Sequence, residues 1–277
     1  PVLGTTATAN DRVIGDIRQQ FSDITIQRGT LVRESLGLQN IRMPDQAVRL
    51  AWLAEKIPTL PGTGIVYALT QRDADLVARW LQTKGITAAA YHSDVRHDSF
   101  SNSDQFRQHL EDALLENKMK VLVATSALGM GYDKPDLGFV IHYQAPGSIV
   151  TYYQQVGRAG RAIDYSLGVL MSGTEDEKIH DFFQRSAFPS VGQVQHVLAT
   201  LERFEGLSSR DFEEHSNMAS GQIEKILKFL SVENPAPLIK MGSKWHRTAT
   251  RYQLDEAHIA RLTQLREQEW QQVNNYL

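Results

Sequence analysis

The 277-residue sequence contains no cysteine. Disulfide bonds and cysteine-ligated zinc are therefore excluded within this chain, and the composition fits a reducing compartment. Long apolar runs are also missing, since the longest are short stretches such as Val121–Ala124, far below the length that spans a bilayer. No basic segment followed by an apolar one begins the chain, so no secretory signal is visible. We expect a cytoplasmic protein, in a bacterial cytoplasm, with no membrane partner.

An excess of positive charge is missing too. The formal net charge is −3, and the sequence pI is about 6.3. A dedicated nucleic-acid-binding domain more often has a pI above roughly 9. The overall charge argues mildly against a nucleic-acid partner, so any such binding must depend on local patches or on groups in a cleft.

Strand and helix patterns alternate from Asp45 to about Met171, with continuous apolar strands such as Gly64–Leu69. Repeated strand–helix–strand units of this kind predict an α/β fold with a parallel sheet covered by helices on both faces. Ahead of it, residues 1–30 read as a β-α-β unit, the tail of a preceding domain, with strands at Val2-Leu3 and Ile24–Ile26. Residues 31–44 read as a polar linker.

The hydrophobic period changes after Pro189. Apolar residues from Val194 to Leu201 and from Ile223 to Leu230 follow the i, i+3, i+4, i+7 spacing of helices. A short capped helix lies between them, and Leu238–Arg247 reads as a hairpin. Three helices and a hairpin predict a small winged-helix-like α+β domain over residues 189–252. Residues 253–277 predict one C-terminal helix.

The segment Tyr153–Arg161 carries the strongest signal for chemistry. If the helix from Ser148 continues, Gln154, Arg158 and Arg161 fall at i, i+4 and i+7 on one face. Two arginines fixed in this way can reach a polyphosphate across a cleft, and an arginine finger is worth roughly 10³–10⁵ in rate. The alternative is a solvated helix end with two surface arginines.

A second signal follows the strand that ends at Ala124. Thr125 and Ser126 offer hydroxyl groups to a phosphate at the carboxyl end of a parallel strand, where open α/β sheets bind ligands. Gly131 permits a tight backbone path, and Asp133 suits a ribose hydroxyl. The alternative is an ordinary loop with turn glycines.

A third signal lies at the carboxyl ends of two further strands, in Tyr67–Arg72 and Tyr91–Asp94. Thr70 and Arg72 suit contacts to backbone phosphates, which position a nucleic-acid strand without reading its bases. The alternative is a helix cap plus a surface arginine.

Together, in this order, the three segments resemble motifs IV, V and VI of superfamily 2 helicases. Ala124–Asp136 resembles the ATxAFGMGIDKPD of the RecQ branch, Tyr152–Arg161 its YYQExGRAGR, and Tyr91–Val95 its YHAGL. The opening Thr5–Ala9 is similar to motif III. The resemblance covers about residues 1–185 and implies a RecA-like second motor domain over residues 45–188.

The resemblance also implies roles for single residues. Arg161 would be the arginine finger, with Arg158 and Gln154 supporting it, and Gly131 and Asp133 would lie at the nucleotide side of the same cleft. The residues implied to face the phosphates of the tracked DNA strand are Thr70, Arg72, His92, Thr125 and Ser126. Thr6 and Thr8 would couple the two motor domains. The implied activity is ATP-dependent 3′-to-5′ unwinding of DNA with Mg²⁺.

The sequence departs from this family in several places. The phosphate loop G-x-x-x-x-G-K-[ST] and the acidic DExH motif are absent. We therefore expect this chain alone to have no ATPase activity. Asp176–His180 only imitates the acidic motif, because its histidine is one position too far and follows motif VI. No metal-ligand set is visible, and the C-terminal helix is similar to the one that leads into the RecQ zinc module, so zinc beyond Leu277 is left open.

The predicted hairpin carries a second candidate nucleic-acid surface. Lys240, Lys244, Trp245 and Arg247 place charge and an aromatic ring on the wing, where duplex DNA is met in such domains. Positive and negative residues balance over residues 191–250, so a structural or protein-docking domain is the alternative. Two further readings of the whole chain remain, a non-catalytic binding module and an RNA helicase of the same superfamily. The oligomeric state is left open.

Overall fold

The computed structural model describes residues 3–6, 11–21, 24–29, 32–129 and 131–277. These form two compact units, residues 1–180 together with 268–277, and residues 181–267. Thr8 in the predicted motif III and Met130 in motif V lie outside the described residues. The boundary after His180 differs from the predicted boundary after Phe188. His180 is tied to the first unit because its Nε2 lies 2.8 Å from the carbonyl oxygen of Ala145.

The first unit contains a six-stranded sheet in the order β1-β6-β5-β2-β4-β3, and all its pairings are parallel. The strands are β1 (Leu36–Arg42), β2 (Thr63–Tyr67), β3 (Ala88–Tyr91), β4 (Val121–Ala124), β5 (Leu137–His142) and β6 (Ser166–Ser172). The helices are α1 (Asp11–Gln20), α2 (Gln46–Lys56), α3 (Gln71–Thr83), α4 (Ser103–Leu115), α5 (Ile149–Val156) and α6 (Asp176–Arg185). The α/β fold with a parallel sheet is confirmed.

Both faces of the sheet are covered, because successive side chains of a strand point to opposite faces. Val66, Val123 and Ile141 pack with α2 and α3 on one face. On the opposite face Ile65 and Leu122 pack with Leu110 and Leu114 of α4, and Leu170 packs with α5. The strands therefore read as continuous apolar runs.

Side-chain caps fix where the helices of this unit begin. Asp45 caps α2, Thr70 caps α3, Asn102 caps α4 and Ser148 caps α5. Each side chain accepts a backbone N–H that has no partner within its helix. Gly85, with φ of +75°, follows α3, because this left-handed conformation costs a glycine little.

The segment predicted as a linker is only partly one. Residues 36–42 form β1, which pairs with β6 along its whole length, and the expected strand at Ile24–Ile26 is not formed. Strand β1 does not show an apolar strand pattern because it contains the polar residues Gln39, Asn40 and Arg42. These side chains are exposed because β1 is an edge strand.

The second unit contains α7 (Val191–Glu202), α8 (Ser209–Glu214), α9 (Ser220–Ser231), and the antiparallel hairpin β7 (Leu238–Met241) and β8 (Lys244–Arg247). Its core includes Val197, Phe212, Leu227 and Trp245. The predicted elements are present in the predicted order, while the winged-helix assignment itself stays a prediction. The last helix, α10 (Glu256–Tyr276), contributes Val273 to the first unit, where it packs with Tyr152 and Val156 of α5.

Candidate functional site

The arginines of the predicted motif VI lie on a loop and not on a helix. Helix α5 ends at Val156, and the amides of Arg158 and Ala159 bond three residues back, to Gln155 and Val156. The expectation that Gln154, Arg158 and Arg161 share one helical face is therefore wrong. The helix stops where two glycines let the backbone turn, the second of them, Gly160, at φ of +70°.

This arginine loop, residues 157–161, is held against the sheet by backbone hydrogen bonds. The N–H of Gly160 donates to the carbonyl of Leu137 at 3.0 Å, and the N–H of Ala162 donates to that of Pro135 at 2.9 Å. A Cβ added at Gly160 would lie 2.2 Å from Oγ of Ser166. Glycine is needed here for the close approach as well as for the positive φ.

Both arginines reach the connection between β4 and β5. Arg158 donates from Nη1 to the carbonyl of Tyr132 at 2.8 Å and from Nη2 to that of Gly129 at 2.7 Å. Arg161 donates from Nη1 to Oδ1 of Asp133 at 2.8 Å. Motifs V and VI, predicted separately, are thus joined by three hydrogen bonds.

A cleft of 520 Å³ opens between these two segments. Its lining residues are Arg33, Ser126, Leu128, Gly129, Gly131, Tyr132, Asp133, Thr151, Tyr153, Gln154, Gln155, Gly157, Arg158 and Arg161. The structure therefore brings together all five residues predicted for catalysis and nucleotide contact. Three guanidinium groups, side-chain hydroxyls and a single carboxylate form a donor-rich lining that fits a polyphosphate.

Arg33 is a charged residue of the cleft that the sequence analysis does not predict. Its Nη1 donates to the carbonyls of Gly157 and Ala159, both at 2.8 Å. It lies in the segment predicted as linker, and no local pattern singles it out. Only the pairing of β1 with β6 brings it beside the arginine loop.

The carboxyl edge of the sheet holds the residues predicted to face phosphates. Thr70 donates from Oγ1 to Oδ2 of Asp73 at 2.8 Å and accepts the N–H of the same residue at 3.0 Å, so its helix-cap reading is confirmed. Arg72 is exposed and lines, with Thr70, a second cavity of 780 Å³. Of these two residues, Arg72 is the one with a charge available to a ligand.

His92 and Thr125 are buried, which does not favour their direct contact with a nucleic-acid strand, so that contact stays a prediction. Nδ1 of His92 accepts the N–H of Asp94 at 3.3 Å, and Nε2 lies 3.3 Å from Oδ1 of Asp75. Oγ1 of Thr125 accepts the N–H of Ala127 at 3.3 Å. Because each side chain bonds within its own region, these residues hold their loops, whereas the neighbouring Ser126 is exposed.

The two candidate regions lie at opposite ends of one segment. Residues 125–133 begin at the carboxyl end of β4, beside the predicted strand contacts, and run towards the start of β5, where the arginine loop lies. Just beyond, Lys134 is buried and its Nζ lies 2.6 Å from Oδ1 of Asp136. This pairing holds the pKa of Asp136 below its usual value and fixes the end of the segment.

Two buried groups of the first unit, of which His142 contacts a cleft residue, have strongly shifted pKa values. Burial lowers the pKa of His142 to about 4, and its Nε2 lies 2.9 Å from Oε1 of the cleft residue Gln155. Burial raises the pKa of Asp176 to about 6, although its Oδ2 accepts the amides of Ala145 and Gly173. Asp176 therefore has a structural role in the sequence that imitates an acidic motif. Among the described residues no group of three His, Asp or Glu side chains is arranged to hold a metal ion.

In the hairpin of the second unit, two of the four residues predicted to contact nucleic acid have partners within the fold. Trp245 is 4% exposed and belongs to the core. Arg247 donates from Nη1 to the carbonyls of Pro237 at 2.6 Å and Thr248 at 3.0 Å, so it holds the hairpin together. Lys240 and Lys244 are exposed, with Nζ of Lys240 lying 5.4 Å from the centre of the Trp245 ring.

Comparison with known proteins shows which class of protein this fold resembles. Residues 51–163 match the helicase conserved C-terminal domain. A solved structure, S. cerevisiae Dbp5 bound to RNA and ADP BeF3, superposes with a TM-score of 0.52 at 22% identity, over 65% of this chain and 47% of that one. The first unit therefore has a RecA-like fold, and residues 51–163 are similar to the C-terminal domain of helicases.

Sequence comparison shows similarity to the RecQ branch of helicases. The chain is 37% identical over 166 residues to RecQ-like DNA helicase blm-1 of Caenorhabditis elegans, covering 58% of this chain and 16% of the relative. It is 31% identical over 185 residues to ATP-dependent DNA helicase RecQ of Bacillus subtilis, covering 65% and 29%. The resemblance to RecQ-like superfamily 2 helicases is confirmed over this region.

The chain spans less than a third of the length of both relatives. One is from a nematode and the other from a bacterium, so similarity does not support the predicted bacterial location. No helix within the described ranges is long and apolar enough to cross a membrane.

Proposed function

We propose that this chain is the C-terminal part of a RecQ-type helicase that couples ATP hydrolysis to 3′-to-5′ movement along DNA and to duplex unwinding. The observation that carries the proposal is the joining of the arginine loop to residues 129–133 around one cleft, through Arg158 and Arg161. Residues 45–188 would be the second motor domain and residues 1–30 the tail of the first.

Arg161 is the group we assign to charge stabilisation during phosphoryl transfer. Its side chain is 42% exposed, and the Asp133 carboxylate that it contacts is 58% exposed. Exposed ion pairs contribute about 1 kcal/mol or less, so the pair opens at little cost when a more highly charged phosphate competes for the guanidinium. Asp133 holds Arg161 at the cleft until then.

Arg158 has a different proposed role from that of Arg161. Both its hydrogen bonds go to backbone carbonyls of the β4–β5 connection, so it holds Gly129 and Tyr132 in place. Gln154 is exposed on α5 at the lip of the same cleft, where its amide suits a phosphate or a water molecule.

ATP with Mg²⁺, when bound, supplies the phosphoanhydride bond whose hydrolysis drives movement. The donor-rich cleft fits the phosphates, while the phosphate loop and the acidic motif that complete such a site are absent from this sequence. We therefore assign this chain one half of the site, with residues of another motor domain forming the other half. Alone, it is expected to hydrolyse no ATP.

Residues 125–133 are the element that would couple the two activities. Ser126 follows the carboxyl end of β4, near the edge where Arg72 is exposed, and it also lines the cleft in which Asp133 contacts Arg161. The buried Thr125 and Lys134 fix the segment at both ends. A change at the cleft thus reaches the proposed DNA-contact edge through about nine residues of chain.

The second unit is proposed to bind duplex DNA as a winged helix, residues 189–252. The support is the order of its elements and the two exposed lysines of the hairpin, Lys240 and Lys244. Trp245 and Arg247 are not part of this surface, because their side chains are needed for the core and for the hairpin backbone.

The test uses the protein extended to include an upstream motor domain. ATP hydrolysis is measured with and without single-stranded DNA, and strand displacement is measured on duplexes with a 3′ or a 5′ tail. We expect DNA-stimulated hydrolysis and unwinding from the 3′ tail. Hydrolysis stimulated only by RNA would replace the proposal with an RNA helicase, and DNA binding without any hydrolysis would replace it with a binding module.

A further inference from the structure

The end of α5 leaves backbone carbonyls that need partners from elsewhere in the fold. Those of Gly157 and Ala159 accept from Nη1 of Arg33 at 2.8 Å, and that of Gly160 accepts from Oγ of Ser35 at 2.7 Å. All three acceptors belong to the arginine loop, and both donors belong to the short stretch that precedes β1.

This stretch is itself fixed to the sheet. The carbonyl of Ser35 accepts from the N–H of Ser166 at 2.6 Å and from its Oγ at 2.9 Å, at the first residue pair of the β1–β6 ladder. Residues 33–35 thus connect a rigid strand end to the loop that carries Arg161. We name them the brace.

The brace replaces hydrogen bonds that the helix end does not provide. A partly buried carbonyl that loses its donor is destabilised, so removal of Arg33 favours a shifted loop in which water or another donor satisfies the two carbonyls. Arg161 follows Gly160 directly in the chain. A shift of the loop by about 1 Å therefore moves the Arg161 guanidinium, and displacements of that size can cost roughly 100-fold in rate.

We propose that Arg33 is a positioning residue of the nucleotide cleft, which acts on phosphoryl transfer by holding the arginine loop and thereby Arg161 in place. The inference rests on the proposed function. It differs from the role of Arg158, whose bonds go to residues 129–132. It gives the segment between the two motor domains a part in catalysis that its linker-like sequence does not suggest.

The first test measures steady-state ATP hydrolysis in the protein extended with its upstream motor domain. Because Arg161 acts in the transition state, R33A should lower kcat by roughly 10- to 100-fold and change the KM for ATP by less than about threefold. R33K, which keeps the charge and one donor position, should recover part of the rate. R42A removes an exposed arginine from the end of β1 and should leave both constants unchanged.

A double-mutant cycle separates positioning from direct contact. If Arg33 acts through Arg161, R33A should cost little further rate in an R161A background, because the two changes remove one function. Additive losses would overturn the inference, since they would mean that Arg33 acts on the nucleotide by itself.

A second readout needs no nucleotide. Amide hydrogen exchange in the peptide covering residues 157–162 should speed up in R33A and, more weakly, in S35A, with no change in R42A. Unchanged exchange in both brace variants would overturn the inference. Since this measurement does not depend on ATPase activity, an inactive parent protein would refute the proposed function while the result on the brace could still be read. If R33A does not fold, R33K and S35A give the same comparison.

Discussion

The arginine loop and the hairpin of the second unit were singled out by similar signals, cationic side chains beside a glycine turn, yet the structure uses them differently. In the loop, Arg161 remains 42% exposed at the rim of a cleft. In the hairpin, Arg247 bonds to two backbone carbonyls and Trp245 is buried. Residue type beside a turn therefore does not decide between ligand contact and structural support.

The difference comes from the backbone on which each side chain lies. Side chains of a strand alternate between two faces, so β8 must turn one of its faces to the core, and the large apolar Trp245 lies there. The arginine loop has no such period, and its backbone is held by hydrogen bonds at Leu137 and Pro135. Its two arginine side chains line the cleft.

The largest expected effect follows the removal of Arg161 and tests the role assigned to the arginine loop. In the extended protein, R161A should lower DNA-stimulated kcat by roughly 10³-fold or more, because it removes the charge that stabilises the transferring phosphoryl group. R161K should remain strongly impaired, since an ammonium lacks the planar fork. R79A, which removes an exposed arginine of α3, serves as the control. An R161A enzyme with a normal rate would refute the assigned role.

The next largest effect follows the truncation of Trp245 and tests the structural role of the hairpin. W245A should destabilise the second unit by roughly 3–5 kcal/mol, as expected when a buried aromatic side chain is truncated. Chemical denaturation measures the change, and M241A, at a side chain 55% exposed, should cost about 0.5 kcal/mol or less. A W245A protein of unchanged stability with weakened DNA binding would restore Trp245 as a contact residue.

The pH dependence of stability tests the burial of His142, which contacts the cleft residue Gln155. The folded pKa of His142 is about 4, below an unfolded value of about 6.5, so the folded state binds fewer protons between these values. Its stabilising contribution is present above pH 6.5 and is lost as the pH falls towards 4, by up to about 3 kcal/mol. In urea denaturation, the stability of the parent relative to H142Q should fall over this range.

Asp176 provides a control of opposite sign. Its folded pKa of about 6 exceeds the ordinary carboxyl value of about 3.9, so the folded state binds more protons between these values. The parent should therefore gain stability relative to D176N as the pH falls from 6 to 4. Equal pH slopes for the parent and both variants would contradict the burial assigned to these groups.

The smallest effect concerns the exposed lysines of the hairpin. K240Q and K244Q should each weaken binding to duplex DNA less than tenfold and reduce the salt dependence of binding by about one counterion. R247Q should instead lower the stability of the second unit, because Pro237 and Thr248 would lose their donor. Unchanged DNA affinity in the double variant K240Q/K244Q would favour a structural or protein-docking hairpin.

Local patterns in the sequence determined the parallel sheet, the start of α5 at Ser148, and the segments that form the cleft. Strand alternation, side-chain caps and turn glycines act between near neighbours, so they can be read from a single chain. The end of α5 is not visible in the local pattern, because the loop that follows it is held by hydrogen bonds to the distant carbonyls of Leu137 and Pro135. Strand β1 was missed because its polar residues lie at the sheet edge.

Only the tertiary structure decided which polar side chains find partners within the fold and which remain exposed at the cleft. His92, Thr125 and Arg247 have the chemistry of phosphate contacts, yet each finds its partner within the protein. Arg33 looks like a linker residue, yet it bonds to carbonyls more than 120 positions away. The physical reason is that a hydrogen bond depends on which groups meet in space, and residues distant in sequence meet only after the sheet has formed.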